Sequence, residues 1–111
     1  MSIALKPGVS LQGTLPPMLV AMQVADGVFS EIGKKDPQTG AHCVVTSATD
    51  GEHSSRSRHY IGAGIDLRTR HLRSEDQARA HWMLTKRLGD DFVVLLEATH
   101  IHIQWNGRAR V

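Results

Sequence analysis

The sequence has no long apolar run, a single cysteine and no cluster of basic residues. None of its apolar stretches approaches the ~20 consecutive residues that a transmembrane helix needs, which excludes a membrane span. The lone Cys43 has no partner for an internal disulfide, and the Val-Val that follows it is typical of a buried strand thiol. The net charge is only +2 and the Lys and Arg residues are dispersed, so neither a nucleic-acid partner nor a membrane partner is predicted.

The N-terminus also lacks the pattern of a signal peptide. Residues 1–13 contain scattered apolar positions that Pro7 and Gly8 interrupt, which is typical of an extended lead-in. A chain of 111 residues has room for one core, so we expect a single domain over 1–111, synthesised in the cytoplasm.

Hydrophobic periodicity predicts two helices and four strands. Thr14 is expected to cap the first helix, and Ser74 with Gln77 has the pattern of a capping box at the second. The predicted elements are helix 15–32, strand 42–46, strand 60–68, helix 74–88, strand 91–97 and strand 100–105. A long polar loop is predicted over residues 47–58, which have no hydrophobic periodicity. This order predicts an α+β fold in which a small antiparallel or mixed sheet has its helices packed on one face.

Two of the predicted strands place metal-binding side chains within reach of each other. His100 and His102 are two residues apart on the last strand, so both project from one face. Asp66 lies on the polar face of another alternating strand, and His59 precedes that strand. Two imidazoles and one carboxylate are a common zinc ligand set, and three protein ligands leave a position for water.

The pattern leaves a metal-free explanation of Asp66 open. Gly62 and Gly64 lie on the same predicted face and would leave room for a ligand to approach the backbone. A buried carboxylate needs a partner, however, and Arg58 or Arg68 would serve without any metal. Periodicity and spacing do not decide between the two.

The remaining histidines and the tryptophans have no such grouping. Three histidines are expected to be structural or exposed: His42, His71 and His81. His53 is expected to be a solvated loop residue. Trp82 and Trp105 are expected to take part in core or lid packing.

Residues 57–66, Ser-Arg-His-Tyr-Ile-Gly-Ala-Gly-Ile-Asp, resemble a motif of the zinc D-Ala-D-Ala carboxypeptidases and related peptidoglycan endopeptidases. That motif reads Ser-x-His-x-x-Gly-x-Ala-x-Asp, and only its alanine differs, being Gly64 here. The segment His100-Ile101-His102 resembles the His-x-His element of the same family, and the order of elements over 42–105 follows the family. The hedgehog signalling domain shares that fold and has a similar Ser-x-His-Tyr-x-Gly motif. The short chain is similar to phage and prophage domains.

The resemblance implies that His59, Asp66 and His102 bind Zn²⁺. It further implies that His100 stabilises the developing oxyanion and that Ser57 supports the ligands by hydrogen bonding. The implied reaction is hydrolysis of peptide bonds in bacterial peptidoglycan, in which a carboxylate deprotonates a zinc-bound water. A phage enzyme of this type would act on the cell wall after lysis or from the phage particle.

The chain departs from this family at the catalytic carboxylate. Many relatives have Asp or Glu three residues before the final histidine ligand, where this chain has Thr99. Glu97 is the remaining candidate base, five residues before His102. Because Glu97 lies three residues before His100, a site with His100 as the final ligand stays an alternative.

Arginines and one serine near the first motif are candidates for contacting the substrate, since guanidinium groups match carboxylates. These residues are Arg56, Ser57, Arg58 and Arg68. The absence of the usual acid at Thr99 also leaves a second function open. It is a non-catalytic, zinc-containing binding module of the same fold, associated with phage particles.

Overall fold

The computed structural model describes residues 2–49 and 62–107, which form two helices and one five-stranded sheet. The helices are α1 (Pro16–Ile32) and α2 (Ser74–Leu88). The strands are β1 (Ile3–Leu5), β2 (Cys43–Ser47), β3 (Gly64–Arg68), β4 (Phe92–Leu96) and β5 (His100–Trp105). They lie in the order β1-β2-β3-β5-β4, with β1 parallel to β2 and the other neighbours antiparallel. The sheet is therefore mixed, and the predicted α+β fold is confirmed.

Both helices pack on the same face of this sheet, as the sequence predicts. The α1 residues in this core recur at helical spacing: Met18, Ala21, Met22, Ala25, Val28 and Phe29. From β3 and β5 the fully buried partners are Ile65, Leu67, Ile101 and Ile103. Since strand side chains alternate between the two faces, the polar residues between these positions point away from the helices.

The lead-in contributes a strand that the sequence does not predict. Ile3 pairs with Cys43 and Leu5 with Val45 in a parallel register. Three residues are too few to show the two-residue alternation of a strand. Only the pairing of this segment with β2 therefore identifies it as a strand. Cys43 itself is fully buried in the core, as expected, and burial raises the pKa of its thiol.

The helix boundaries agree with the predictions, but the predicted caps are wrong. Leu15 occupies the N-cap of α1 without a side-chain bond, and Pro16 stands at the first helical position. At α2 the N-cap is Arg73, again without a side-chain bond. The Gln77 amide instead donates back to the carbonyl oxygen of Leu72 at 3.1 Å, so it stabilises the preceding turn. Neither helix of the described ranges has the length and apolar character to cross a bilayer.

The expected packing role holds for one of the two tryptophans. Trp105 packs against the core cluster from the end of β5. Trp82 is 61% exposed, so its assignment to the core is wrong. The core stripe of α2 passes through Met83 and Leu84, which directs position 82 to the outer side of the helix.

The strand predicted over 60–68 begins only at Gly64 within the described residues, and Gly62 is not part of it. Gly62 has φ of +79°, a left-handed conformation that favours glycine. A Cβ there would lie 2.1 Å from the carbonyl oxygen of Gly13. The Gly62 carbonyl oxygen also accepts a hydrogen bond from Leu15 N at 2.9 Å. The space that the sequence assigns to a ligand beside Gly62 is thus filled by the backbone that leads into α1.

This close approach makes Gly62 sensitive to substitution. We expect Gly62→Ala to lower the free energy of unfolding by about 3 kcal/mol, from the left-handed conformation together with the clash against Gly13. Urea denaturation of the purified variant measures this. Gly40→Ala is the matched control, because Gly40 has φ of +76° with no atom within 4 Å of its added Cβ. The control should lose only about 1 kcal/mol. Equal losses in the two variants would contradict the role of the contact.

Candidate functional site

The face of the sheet that points away from the helices, here called the open face, carries the predicted histidine pair. It presents Asp66 and Arg68 from β3, and His100, His102 and Gln104 from β5. The antiparallel register sets Asp66 directly opposite His102 and Arg68 opposite His100. Alternation on two neighbouring strands thus brings Asp66 and both histidines together.

His102 is held by polar contacts at both ring nitrogens. Its Nδ1 lies 2.8 Å from Asp66 Oδ1, and its Nε2 lies 3.0 Å from Gln104 Oε1. Gln104 is oriented in turn, because its amide donates to Asn106 Oδ1 at 3.0 Å. The hydrogen bond to Asp66 is the largest influence and raises the pKa of His102, against the opposing effect of partial burial. The His102 ring is therefore fixed in orientation.

His100 lies at the edge of this pair and is more exposed. Its Nε2 is 3.7 Å from Asp66 Oδ1, the same oxygen that meets His102. Its Nδ1 is hydrogen-bonded to Thr99 Oγ1 at 3.0 Å. When the Thr99 hydroxyl donates, the proton of neutral His100 is on Nε2, which faces the site. The side chain is 31% exposed, against 14% for His102. His100 is thus the histidine that a ligand from solvent can reach more easily.

The chemistry of Asp66 and His102 fits a zinc ion. Since Nε2 faces an acceptor oxygen of Gln104, neutral His102 has its lone pair on Nδ1, directed at the Asp66 carboxylate. Two electron-pair donors this close need a proton or a cation between them. A zinc ion bound by His102 and Asp66 would take the place of that proton and would act there as a Lewis acid.

The third predicted zinc ligand and three of the candidate substrate contacts lie outside the described residues. The ligand is His59, and the contacts are Arg56, Ser57 and Arg58. The same holds for His53 and most of the predicted loop over 47–58. Within residues 2–49 and 62–107, no three His, Cys, Asp or Glu side chains are grouped so as to hold a metal ion.

Glu97, the candidate base, flanks the histidines. Its N–H donates to the carbonyl oxygen of His100 at 2.8 Å, which closes the turn between β4 and β5. Leu95 is the register partner of His102, so alternation places Glu97 on the open face beside His100. The Glu97 side chain is exposed, and its charge contributes to the raised pKa of His102.

Arg68 does not pair with Asp66, so that metal-free explanation is wrong for this arginine. Its side chain is 8% exposed, and Nη1 donates to Asp36 Oδ2 at 3.2 Å and to Gln38 Oε1 at 3.3 Å. Because this guanidinium is bonded to the loop after α1, its predicted role as a substrate contact depends on its remaining N–H groups. Arg58, the other proposed partner, is not among the described residues.

Asp36 is a buried charge that sequence reasoning missed. It is fully buried, and its Oδ2 accepts hydrogen bonds from Thr39 N at 2.9 Å and Thr39 Oγ1 at 3.0 Å. Burial raises the pKa of this carboxyl, but the bonds from Thr39 and the charge of Arg68 outweigh burial and lower it. A single Asp in a polar loop carries no periodic signal, although the Asp-Pro pair does indicate a turn.

The three histidines expected to be structural or exposed are structural. His42 Nδ1 is bonded to Ser2 Oγ at 2.8 Å, and His71 Nε2 to the carbonyl oxygen of His42 at 2.9 Å. His81 Nε2 donates to the carbonyl oxygen of Val94 at 2.9 Å, which satisfies a backbone group of the edge strand β4. These bonds connect loops, helix and sheet.

Comparison with known proteins adds no relative to this description. No protein-family model, no curated protein and no solved structure matches the chain.

Proposed function

We propose that the chain is a zinc-dependent peptidase that hydrolyses peptide bonds of bacterial peptidoglycan. The observation that carries the proposal is the contact of 2.8 Å between His102 Nδ1 and Asp66 Oδ1 on the open face. These are two of the three residues that the family resemblance identifies as zinc ligands. The substrate class rests on the resemblance of residues 57–66 and 100–102 to cell-wall peptidases.

The ligands in this proposal are His59, Asp66 and His102. A zinc ion held there would lower the pKa of a bound water toward about 7. Gln104 keeps His102 in the tautomer that offers Nδ1, through its acceptor oxygen 3.0 Å from Nε2.

Two further residues of the open face have roles in the hydrolysis. His100 offers its Nε2 proton to the negative oxygen that develops on the substrate carbonyl. Glu97 accepts the proton of the attacking water and passes it to the leaving nitrogen. The water oxygen bonds to the carbonyl carbon, the C–N bond breaks, and the products are one carboxylic acid and one amine.

The proposed partner is the peptide part of the bacterial cell wall, and neither nucleic acid nor a membrane takes part. The proposed place of action is the wall itself, reached after lysis or from a phage particle. This location follows from the similarity to short phage domains alone.

Hydrolysis of cell-wall peptides tests the function. We expect the zinc-loaded protein to release new amino groups from purified peptidoglycan, and Glu97→Gln to lower kcat/KM by about 100-fold. Glu75→Gln is the matched control, because Glu75 is an exposed acid on α2, on the far side of the sheet. A protein that binds zinc yet releases no fragments from peptidoglycan would contradict the peptidase.

One observation favours a second candidate, a zinc-containing binding module without catalysis. The position of the usual acid is taken by Thr99, whose hydroxyl is bonded to His100 Nδ1 at 3.0 Å. Thr99→Asp separates the two candidates. A large gain in hydrolysis from an inactive wild type supports the binding module, and an active wild type excludes it.

A further inference from the structure

A cluster of charged and polar side chains surrounds a cavity of about 430 Å³ that adjoins the open face. Its lining residues are Lys6, Pro7, Gln38, Thr39, Arg68 and Arg70. Arg68 is two residues from Asp66 on the same face of β3, which is about 7 Å along the strand. Arg68 lies opposite His100, but neither histidine lines the cavity. Its volume lies in the range of small-ligand pockets.

The charges around this cavity do not balance. Among the described residues that line it, three are cations and none is an acid. Asp36 lies behind the lining, fully buried, and its ion pair with Arg68 neutralises one of the three charges. Arg70 is 60% exposed, and its Nε is 3.9 Å from the same carboxylate. Lys6 forms no ion pair within the described part of the chain. Three positive charges against one negative leave a net charge of +2.

Gln38 brings the two guanidinium groups together. Its Oε1 accepts a hydrogen bond from Arg68 Nη1 and another from Arg70 Nη2. The two guanidinium groups are held close together and repel each other. A bound anion would offset this repulsion, because it attracts both of them. The other N–H groups of Arg68 make no hydrogen bond with the described residues, while Asp36 and Gln38 hold Nη1 in place. The donors are therefore oriented before any ligand binds.

We propose that Lys6, Arg68 and Arg70 bind a phosphate group, either free phosphate or a phosphate monoester on a larger molecule. A monoester has a charge of about −1.5 to −2 at pH 7, which matches the net charge of the pocket. Its three oxygens suit two guanidinium groups and one ammonium. A carboxylate has one charge and two oxygens, so it would leave a cation uncompensated. This pocket depends neither on zinc nor on peptidase activity.

Calorimetric titration with three probes at constant ionic strength tests the pocket. The probes are inorganic phosphate, phenyl phosphate and acetate. We expect both phosphates to bind at least tenfold more tightly than acetate, and Lys6→Gln and Arg70→Gln each to weaken phosphate about tenfold. A higher affinity for phenyl phosphate than for inorganic phosphate identifies an ester as the ligand, and the reverse order identifies free phosphate.

Two controls separate this pocket from general charge and from the metal. Lys86→Gln and Arg79→Gln remove exposed cations of α2, so they should leave phosphate affinity unchanged. Phosphate should also bind the His102→Ala variant as it binds the wild type, since a metal at the histidine pair is not part of the pocket. Equal affinity for acetate and phosphate, or equal losses in the control variants, would overturn the proposal.

Discussion

Replacing His102 by alanine should remove zinc from the protein. We expect about one zinc per wild-type chain after reconstitution, and less than about a tenth in His102→Ala and in Asp66→Ala. Structural zinc in zinc-finger peptides contributes about 12 kcal/mol, and on that scale the loss of one of three ligands would cost about 4 kcal/mol, which is about a thousandfold in affinity. Elemental analysis of the dialysed proteins measures the zinc content directly.

His100→Ala is the matched control for this experiment. His100 Nε2 is 3.7 Å from Asp66 Oδ1, whereas His102 Nδ1 is 2.8 Å from it, so His102 is the expected ligand. His100→Ala should retain zinc and lose hydrolysis. Retention of zinc by His102→Ala with its loss from His100→Ala would reverse the assignment. The absence of zinc from the reconstituted wild type would contradict both the proposed zinc site and the proposed peptidase function. It would leave the proposal of a phosphate pocket unaffected.

Replacing Arg68 by methionine should lower the free energy of unfolding by about 3–5 kcal/mol. The substitution keeps the volume of the side chain but leaves the Asp36 carboxylate buried without its 3.2 Å partner. Urea denaturation at pH 7 measures the change. Arg70→Met is the control, because Arg70 is 60% exposed and 3.9 Å from Asp36, and we expect it to cost under about 1 kcal/mol.

The same ion pair predicts how stability depends on pH. The pKa of Asp36 is lowered on folding, so its contribution is fully present above the unfolded value of about 3.9 and is lost as the pH falls through the folded value. The stability difference between wild type and Asp36→Asn should therefore shrink from pH 7 to pH 3. The Asp36→Asn/Arg68→Met double variant should be more stable than Arg68→Met alone. A double variant no more stable than Arg68→Met would contradict a buried unpaired charge.

Much of the candidate site follows from local patterns. The two-residue spacing of His100 and His102 predicts their common face, and the alternation of β3 predicts that Asp66 lies on its polar face. Their adjacency follows only from the pairing of β3 with β5, which spacing along the chain does not determine. Gln104 lies two residues after His102 on the same strand. The alternation of β5 therefore also predicts that their side chains are neighbours.

Other features of the site have no local signal. The backbone that leads into α1 passes close to Gly62. It fills the space beside Gly62 that the sequence pattern assigned to a ligand. Asp36 and Arg68 are 32 residues apart, and they meet because the loop after α1 is hydrogen-bonded to β3. Lys6, near the N-terminus, lines the same cavity as Arg68. Each contact joins segments that are distant in sequence, so only the folded chain defines it.

The sequence by itself determined both helices, four of the five strands and the buried face of each of these elements. Helical period and strand alternation are properties of consecutive residues, and they sorted Ile65 and Ile103 to the core and Asp66 and His102 to the open face. The tertiary structure alone decided which strands are neighbours, that β1 joins the sheet, and that one arginine pairs with Asp36 rather than Asp66. Those choices depend on the free energy of packing the whole chain, to which many distant residues contribute at once.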